Sequence, residues 1–389
     1  MKALFLRKSA IALAAIALVG IFAPLFASAP PQEIVGAPFA RPIWWKSGKL
    51  PAAKSFDVKI DGIEFEWEDE PPAIFSLYGR VTADASSEVR VIWRTPRKEY
   101  LLERLSGSEL YWINSDGRDM IFKQALGLPL VSRSVDHLFP SRGKYSLSVE
   151  GAKGAELRLL LPGERQGLLG TDQRGRDVFT LFLYGIRTSL IIGTAATLVA
   201  SLLGVSLGLA AGYAGGLCDA LIMRAVDVLL SIPTLPILMA LAAVWGKGLW
   251  QLVLILSMFS WMGTARSVRS LVLTLRESAW VESLRALGAS RGYILRRHLL
   301  PETAPILLAN VALGVPGAIL SEAGLAFLGL SDPRLISWGR MLHEAHSFGA
   351  FTQGAWWLLL PPGLGIVAVC LIFLDMGKFL EEKIDPRLG

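Results

Sequence analysis

Six apolar runs mark the chain: residues 9–29, 188–218, 228–246, 248–265, 303–321 (continuing past Glu322 to 330) and 347–374. Each is long enough for a helix to cross the roughly 30 Å hydrocarbon core of a bilayer. Lys247 alone separates the third and fourth runs, which leaves room only for a tight hairpin. Gly193, Gly204, Gly208, Pro233, Pro236, Pro316, Pro361 and Pro362 fall inside the runs. In a bundle, neighbouring helices satisfy the backbone groups that such residues free, and small residues let helices approach closely. In the first run, Ala27-Ser28-Ala29 imitates a signal cleavage site. The length of the run, and Pro30 and Pro31 just beyond it, favour a retained transmembrane helix over residues 1–30.

Between residues 42 and 163 the apolar period changes to two. Phe56-Asp57-Val58-Lys59-Ile60, Ile63-Glu64-Phe65-Glu66-Trp67, Val89-Arg90-Val91-Ile92-Trp93, Tyr145-Ser146-Leu147-Ser148-Val149 and Leu157-Arg158-Leu159-Leu160-Leu161 read as strands. Turn residues separate them at Asp61-Gly62, Pro71-Pro72, Ser115-Asp116-Gly117 and Gly151. Strands at this spacing predict a β-sandwich, with a helical turn over 120–125 and a tyrosine corner at Gly143-Lys144-Tyr145. The expected fold is an all-α polytopic membrane protein of six transmembrane helices with an inserted β-rich extracytoplasmic domain over 42–163. Residues 164–389 form a five-helix core. The β-domain shows no pocket chemistry, and a packing or spacer role is its plainest reading.

Composition sharpens this picture. Apolar residues make up 52% and charged ones 19%, with about half of the charges between residues 41 and 165. A wholly soluble or disordered chain is excluded. Cys218 and Cys370 lie in or beside apolar runs, so no disulfide framework supports the polar domain. The net charge of +6 does not point to nucleic acid, because the excess sits in short segments between the runs. With the N-terminus inside, one side collects Arg266, Arg269, Arg276, Arg285, Arg291, Arg296, Arg297 and the basic residues of both termini. The other side's short loops hold only Lys247, Arg334 and Arg340. The positive-inside rule then puts both termini and the segment 266–301 in the cytoplasm.

That segment contains the most specific pattern. Val281, Leu284 and Leu287 mark one helical stripe, Gly288 suits a left-handed helix end, and Ser290 suits the start of a second helix. Ile294, Leu295 and Leu299 continue an apolar face up to Pro301. Two readings fit: a basic helix pair lying on anionic lipid, or a rigid knob docking into a soluble partner. Glu282-Ser283-Leu284, Gly288 and Leu300-Pro301 resemble the EAA loop of ATP-binding-cassette importer permeases. Ser283, Leu284 and His298 depart from its pattern.

Leu169-Gly170-Thr171-Asp172-Gln173-Arg174-Gly175-Arg176-Asp177-Val178, Leu183-Tyr184-Gly185-Ile186-Arg187-Thr188-Ser189-Leu190 and Gly212-Tyr213-Ala214-Gly215-Gly216 narrow the resemblance. So do Ser337-Trp338-Gly339-Arg340-Met341-Leu342 and Asp385-Pro386-Arg387-Leu388. Together they are similar to the second-permease type of the dipeptide/oligopeptide/nickel family. The resemblance covers residues 169–388 and not the long insertion. It implies a bacterial inner-membrane permease subunit that performs no bond chemistry and moves peptides or a similar small solute inward by alternating access. It also implies pairing with a second related permease, two cytoplasmic ATPase subunits and an extracytoplasmic solute-binding protein. Glu282, Ser283, Arg285, Gly288, Ala289 and Pro301 would then be the ATPase-coupling residues. No phosphate-loop motif occurs in this chain, so ATP and Mg belong to the partners, with no cofactor here.

Asp172, Arg174, Arg176 and Asp177 read either as a charged collar at the outer mouth or as local turn and helix-end pairing. Glu322 is the candidate for a pathway-facing acid, and a pair with a partner-subunit cation is its alternative. Asp227 is expected to pair with Arg224 on its own helix. His343 and His346 read as a surface pair rather than a metal site. The other function class that fits is a membrane-anchored receptor or assembly protein whose β-domain binds a ligand. It leaves the helix-turn-helix unexplained. An enzyme finds no nucleophile–base set, since His137 and His298 fall on opposite sides of the membrane.

Overall fold

The computed structural model describes residues 2–45, 54–68, 71–72, 74–84, 87–106, 109–114, 123–124, 126–128, 133–163 and 165–384. The turn expected at Ser115-Asp116-Gly117, most of the helical turn over 120–125 and the terminal Asp385-Pro386-Arg387-Leu388 lie outside the described residues. The chain divides into two compact units, one of Met1–Phe26, Leu181–Phe351 and Leu359–Gly389, the other of Ala27–Thr180 and Thr352–Leu358.

The second unit is β-rich. Its strands are β1 (Lys54–Val58), β2 (Ile63–Trp67), β3 (Ser76–Thr82), β4 (Glu88–Arg94), β5 (Glu99–Ser106), β6 (Glu109–Asn114), β7 (Gly143–Glu150) and β8 (Gly154–Leu161). They form two antiparallel four-stranded sheets, ordered β1-β8-β3-β6 and β2-β7-β4-β5. Leu77 opposite Leu159 in one sheet and Ile63 opposite Leu147 in the other set the registers. A one-residue slip would turn every apolar side chain outward, so burial fixes these registers. Trp67, Phe75, Leu77, Trp93, Tyr145, Leu147 and Leu159 share one core between the sheets. The indole of Trp93 donates to the carbonyl of Leu138 (3.0 Å), which satisfies its polar handle inside that core. The Tyr145 hydroxyl donates to the Ser141 carbonyl four residues upstream, the geometry of a tyrosine corner. Burial pushes the Tyr145 phenol up from its ordinary pKa.

The other unit is helical. Its elements are α1 (Lys2–Ile21), α2 (Val178–Ala214, from Leu181 onward), α3 (Gly216–Ser231), α4 (Thr234–Trp245), α5 (Leu249–Arg276), α6 (Ala279–Ala286), α7 (Arg291–Ile294), α8 (Leu300–Phe327), α9 (Trp338–Ser347) and α10 (Leu360–Ile384). Among the described residues, three helical segments are long and apolar enough to cross a membrane: Val178–Ala214, Arg291–Phe327 and Trp356–Leu380. The pair α3 and α4 makes a fourth if taken as one span, although the two meet at a 91° bend. The uninterrupted span expected over 228–246 is thereby corrected. Pro233 removes a backbone donor and holds Ile232 in an extended conformation, so the helix stops and restarts. α5 has the length, but Gln251, Ser257, Ser260 and three arginines dilute its apolar content. In α1 the described apolar stretch is Lys8–Ile21.

The bundle closes through small residues. Gly204, Gly208 and Gly212 recur every fourth position on α2, so they share one face. A Cβ there would lie 2.7 Å from the Trp261 carbonyl, 2.7 Å from the Ala265 carbonyl and 3.0 Å from the Arg269 carbonyl of α5, respectively. Any side chain on this face would push the two helices apart. At α9, Trp338 stacks on Phe182 and its indole donates to the Phe182 carbonyl (3.1 Å).

Candidate functional site

The helix-turn-helix between α5 and α8 is held by its inner face and free on its outer one. Val281, Ile294 and Leu299 are fully buried in a cluster with Val205, Leu209, Val268 and Val272 of α2 and α5. The turn is closed by hydrogen bonds from Gly288 N–H to the Arg285 carbonyl and from Ala289 N–H to the Leu284 carbonyl, both 3.0 Å. This is the Schellman pattern, and its hinge residue, Gly288, has φ +84°. Among the described residues, no atom beyond its chain neighbours lies within 4 Å of the place a Gly288 Cβ would occupy, so backbone conformation selects glycine there. The second helix starts at Ser290, whose hydroxyl accepts from the Tyr293 N–H (3.2 Å). A π-helical turn, Leu295–Leu299, then leads into α8 near Pro301. π-helical turns are rare within helices and often occur at functional sites.

The outer face gathers Glu282, Leu287, Tyr293 and part of Trp280. Leu287 is 84% exposed and therefore leaves the buried stripe predicted for it. The physical reason is the turn itself: Leu287 is the last residue before the left-handed Gly288, so its side chain points away from the anchored face. Glu282 is exposed and forms no ion pair with Arg285 among the described residues. Instead, the Arg285 guanidinium lies 5.7 Å from the centre of the Tyr213 ring. His298 sits between Trp280 and Tyr293, with ring centroids 5.8 and 5.5 Å away. Beneath the turn is a groove of about 720 Å³, lined by Tyr213, Arg276, Glu277, Arg285, Ala289 and Arg291 among others. The sequence carried Tyr213 without linking it to the loop, because only the fold brings the end of α2 against it.

The charged residues before α2 are mostly spoken for locally. Asp172 accepts from the backbone N–H groups of Arg174 (2.8 Å) and Arg176 (2.9 Å), and its other oxygen takes two bonds from the Arg176 guanidinium at 2.6 Å. Both side chains of that pair are about 5% exposed. Asp177 caps α2 by accepting from the Thr180 N–H (3.0 Å) and hydroxyl (2.8 Å), and it also accepts from the Ser28 hydroxyl (2.8 Å). Only Arg174 of the four is exposed.

Glu322 is buried in α8 and accepts from the Ser337 hydroxyl (2.7 Å), which in turn caps α9 by accepting from the Arg340 N–H. The second Glu322 carboxylate oxygen is buried without a partner among the described residues. Asp227 pairs with Arg266 of α5 at 2.8 Å, which corrects the expected pair with Arg224: the antiparallel neighbour outcompetes the same helix. A second tie, Asp219 to Arg269 through two bonds, joins α3 to α5 beside it. His343 and His346 engage Phe327, the first through its carbonyl and the second through its ring.

Residues 204–386 match the family described as binding-protein-dependent transport system inner membrane component. The dipeptide transport system permease protein DppC of Bacillus subtilis (strain 168) is 37% identical over 229 residues, 59% of this chain and 71% of its own. The oligopeptide transport system permease protein OppC of the same organism is 35% identical over 250 residues, 64% of this chain and 80% of its own. The chain belongs to the ATP-binding-cassette importer permeases of the dipeptide/oligopeptide family.

A glutathione transport system permease protein, GsiD, of Pectobacterium atrosepticum is 37% identical over 221 residues, 57% of this chain and 72% of its own. A solved methionine ABC transporter, MetNI, in inward-facing conformations overlaps 52% of this chain and 95% of its own, with a TM-score of 0.41 and 19% identity. This permease is a multi-pass inner-membrane subunit of an ATP-driven importer and not itself an enzyme. It works with ABC transporter partners. A receptor or assembly role for the chain is set aside by the same matches.

Proposed function

We propose that this permease carries peptides or similar small solutes into the cytoplasm by alternating access, and that its helix-turn-helix is the element through which ATP hydrolysis drives it. The observation that carries the coupling is the division of that element: an inner face buried on α2 and α5, a turn fixed by one glycine, and an outer face of Glu282, Leu287 and Tyr293 left uncovered. Such a knob transmits a push, because its buried side cannot slip relative to the bundle. Two bundle states separated by a few kcal/mol are then biased by what grips the outer side.

In this reading the partners are a second related permease, two cytoplasmic ATPase subunits that hold ATP and Mg, and an extracytoplasmic solute-binding protein. The names of the relatives support the peptide class. Six spans with both termini in the cytoplasm follow from the arginine asymmetry, with α1, the bent pair and α5 completing the count. Glu282, Ser283, Arg285, Gly288, Ala289 and Pro301 form or shape the coupling surface, and Arg174 is the collar residue best placed to meet a docking partner. Purification of the tagged chain from native membranes tests the reading. An ATP-binding subunit should copurify, and a chain that comes down with no such subunit would contradict it.

A further inference from the structure

The β-rich unit carries an apolar patch outside the shared core of its sheets, built where the chain enters and leaves the sandwich. Residues 41–45 run beside residues 165–168. The Ile43 N–H donates to the Gly167 carbonyl (3.0 Å), and the Trp44 indole donates to the Leu168 carbonyl (2.7 Å). A third piece of the same unit, Thr352–Leu358, joins them. Trp356 lies against both Trp44 and Trp45, with ring centroids 6.0 and 5.4 Å away. The next indole, Trp357, donates to the Thr171 carbonyl (3.3 Å). The patch is thus fixed from several sides, yet Ile43, Trp44 and Leu168 remain 61%, 52% and 58% exposed.

The Trp44 N–H is used inside the patch, so its exposed ring offers only carbon. Contiguous exposed carbon marks a surface that meets protein or lipid. Trp356 decides between the two. It is the first residue of the apolar segment Trp356–Leu380, which is long enough to cross a membrane, so it stands at the level where that span meets water. Tryptophan is enriched at that level because its ring suits the headgroup boundary. Trp44 and Trp45 pack on Trp356 and share its depth. We propose that the patch of Ile43, Trp44 and Leu168 inserts into the lipid interface around the start of this span, holding the two ends of the β-sandwich's chain at the bilayer surface. Carbon and not charge selects the lipid: charged residues of both signs, Arg41, Lys46, Glu164 and Arg165, flank the patch in sequence. The contact depends on the span that begins at Trp356, and not on the solute, the coupling loop or which face of the membrane is outside.

Nitroxide labels on Ile43→Cys and on Leu168→Cys, each in a Cys218→Ala/Cys370→Ala background, test this in the whole transporter reconstituted into phosphatidylcholine vesicles. Both positions are already exposed, so a label there displaces no buried side chain. Oxygen concentrates in lipid, whereas a nickel chelate stays in water. Electron paramagnetic resonance should give an oxygen-to-nickel accessibility ratio severalfold higher at both positions than at Asp61→Cys, in the exposed turn between β1 and β2. A ratio equal to that at Asp61→Cys would put the patch in water and overturn the proposal. Shielding of the labels from both reagents would overturn it too, because protein and not lipid would then cover the patch. If one label site lowers the yield, the other decides. ATPase copurification is scored separately, so failure here is distinct from failure of the coupling reading.

Discussion

Single residues in this permease divide into those that hold local geometry and those left exposed. Asp177 belongs to the first group: it caps α2 and also receives Ser28. Replacing it with alanine should cost about 1–2 kcal/mol, seen as a lower thermal midpoint of the purified protein, while Asp177→Ser should recover most of the loss. An unchanged midpoint would show the cap to be idle. Glu282 belongs to the second group. Its nearest candidate cation on the same helix, Arg285, is turned toward Tyr213. A carboxylate left exposed on a rigid knob can be desolvated by a cationic group of a docking partner, and loss of one member of a desolvated pair costs several kcal/mol. Glu282→Ala should therefore weaken association with the ATPase subunits by tenfold or more in a binding titration. Arg285→Ala, which loses a ring contact worth about 0.5–1 kcal/mol, should do less. Equal effects of the two variants would return Glu282 to a solvated role.

At the scale of elements, the glycine face of α2 decides how closely α5 can lie. Gly208→Val places branched carbons where the Ala265 carbonyl and Val268 side chain already sit, 2.7 and 2.8 Å from the Cβ position. Overpacking of this kind costs about 1–3 kcal/mol. The variant should insert into the membrane but lose thermal stability, and a wild-type melting curve would contradict the packing described here. Much of this was legible in the chain. The strands β2 and β7 alternate cleanly, β4 alternates up to the register shift between Val91 and Ile92, and the Gly288 turn carries its own chemistry.

Other elements were hidden for physical reasons. β3 is interrupted by Gly79, and β5 reads Glu-Tyr-Leu-Leu-Glu-Arg-Leu-Ser, whose paired leucines suit a helix as well as a strand. β6, Glu-Leu-Tyr-Trp-Ile-Asn, alternates weakly. α2 starts ten residues before its uncharged run because Arg187 and Tyr184 interrupt the apolar pattern without interrupting the helix. The 91° bend was flagged only by Pro233, a residue that membrane helices often absorb. Long-range partners such as Asp227 with Arg266 leave no mark in sequence spacing.

For the whole molecule, orientation is the property on which every functional reading depends. The arginine-rich ends of α5 and the coupling element argue that this side faces the cytoplasm. A cysteine introduced at Asp61, in the exposed turn between β1 and β2, should react with a membrane-impermeant maleimide in intact spheroplasts. One introduced at Ser290 should react only after lysis. The reverse pattern would place the coupling loop outside and remove it from ATP-driven transport. The β-rich unit has its own well-packed core around Trp67, Trp93 and Tyr145, so it brings structural independence to a family match that begins only at residue 204.

The central claim is that a glycine-set turn carries the stroke of the ATPases into the bundle. Its most direct test is the number of labelled dipeptides moved per ATP hydrolysed by the reconstituted transporter carrying Gly288→Val or Gly288→Asn. At φ +84° a β-branched residue is strained and forces the turn to reshape, whereas asparagine tolerates that conformation, and the space around it is open. The account predicts that Gly288→Val keeps its place in the membrane but loses most transport per ATP, while Gly288→Asn stays near wild type. Wild-type coupling in Gly288→Val at normal abundance would contradict it.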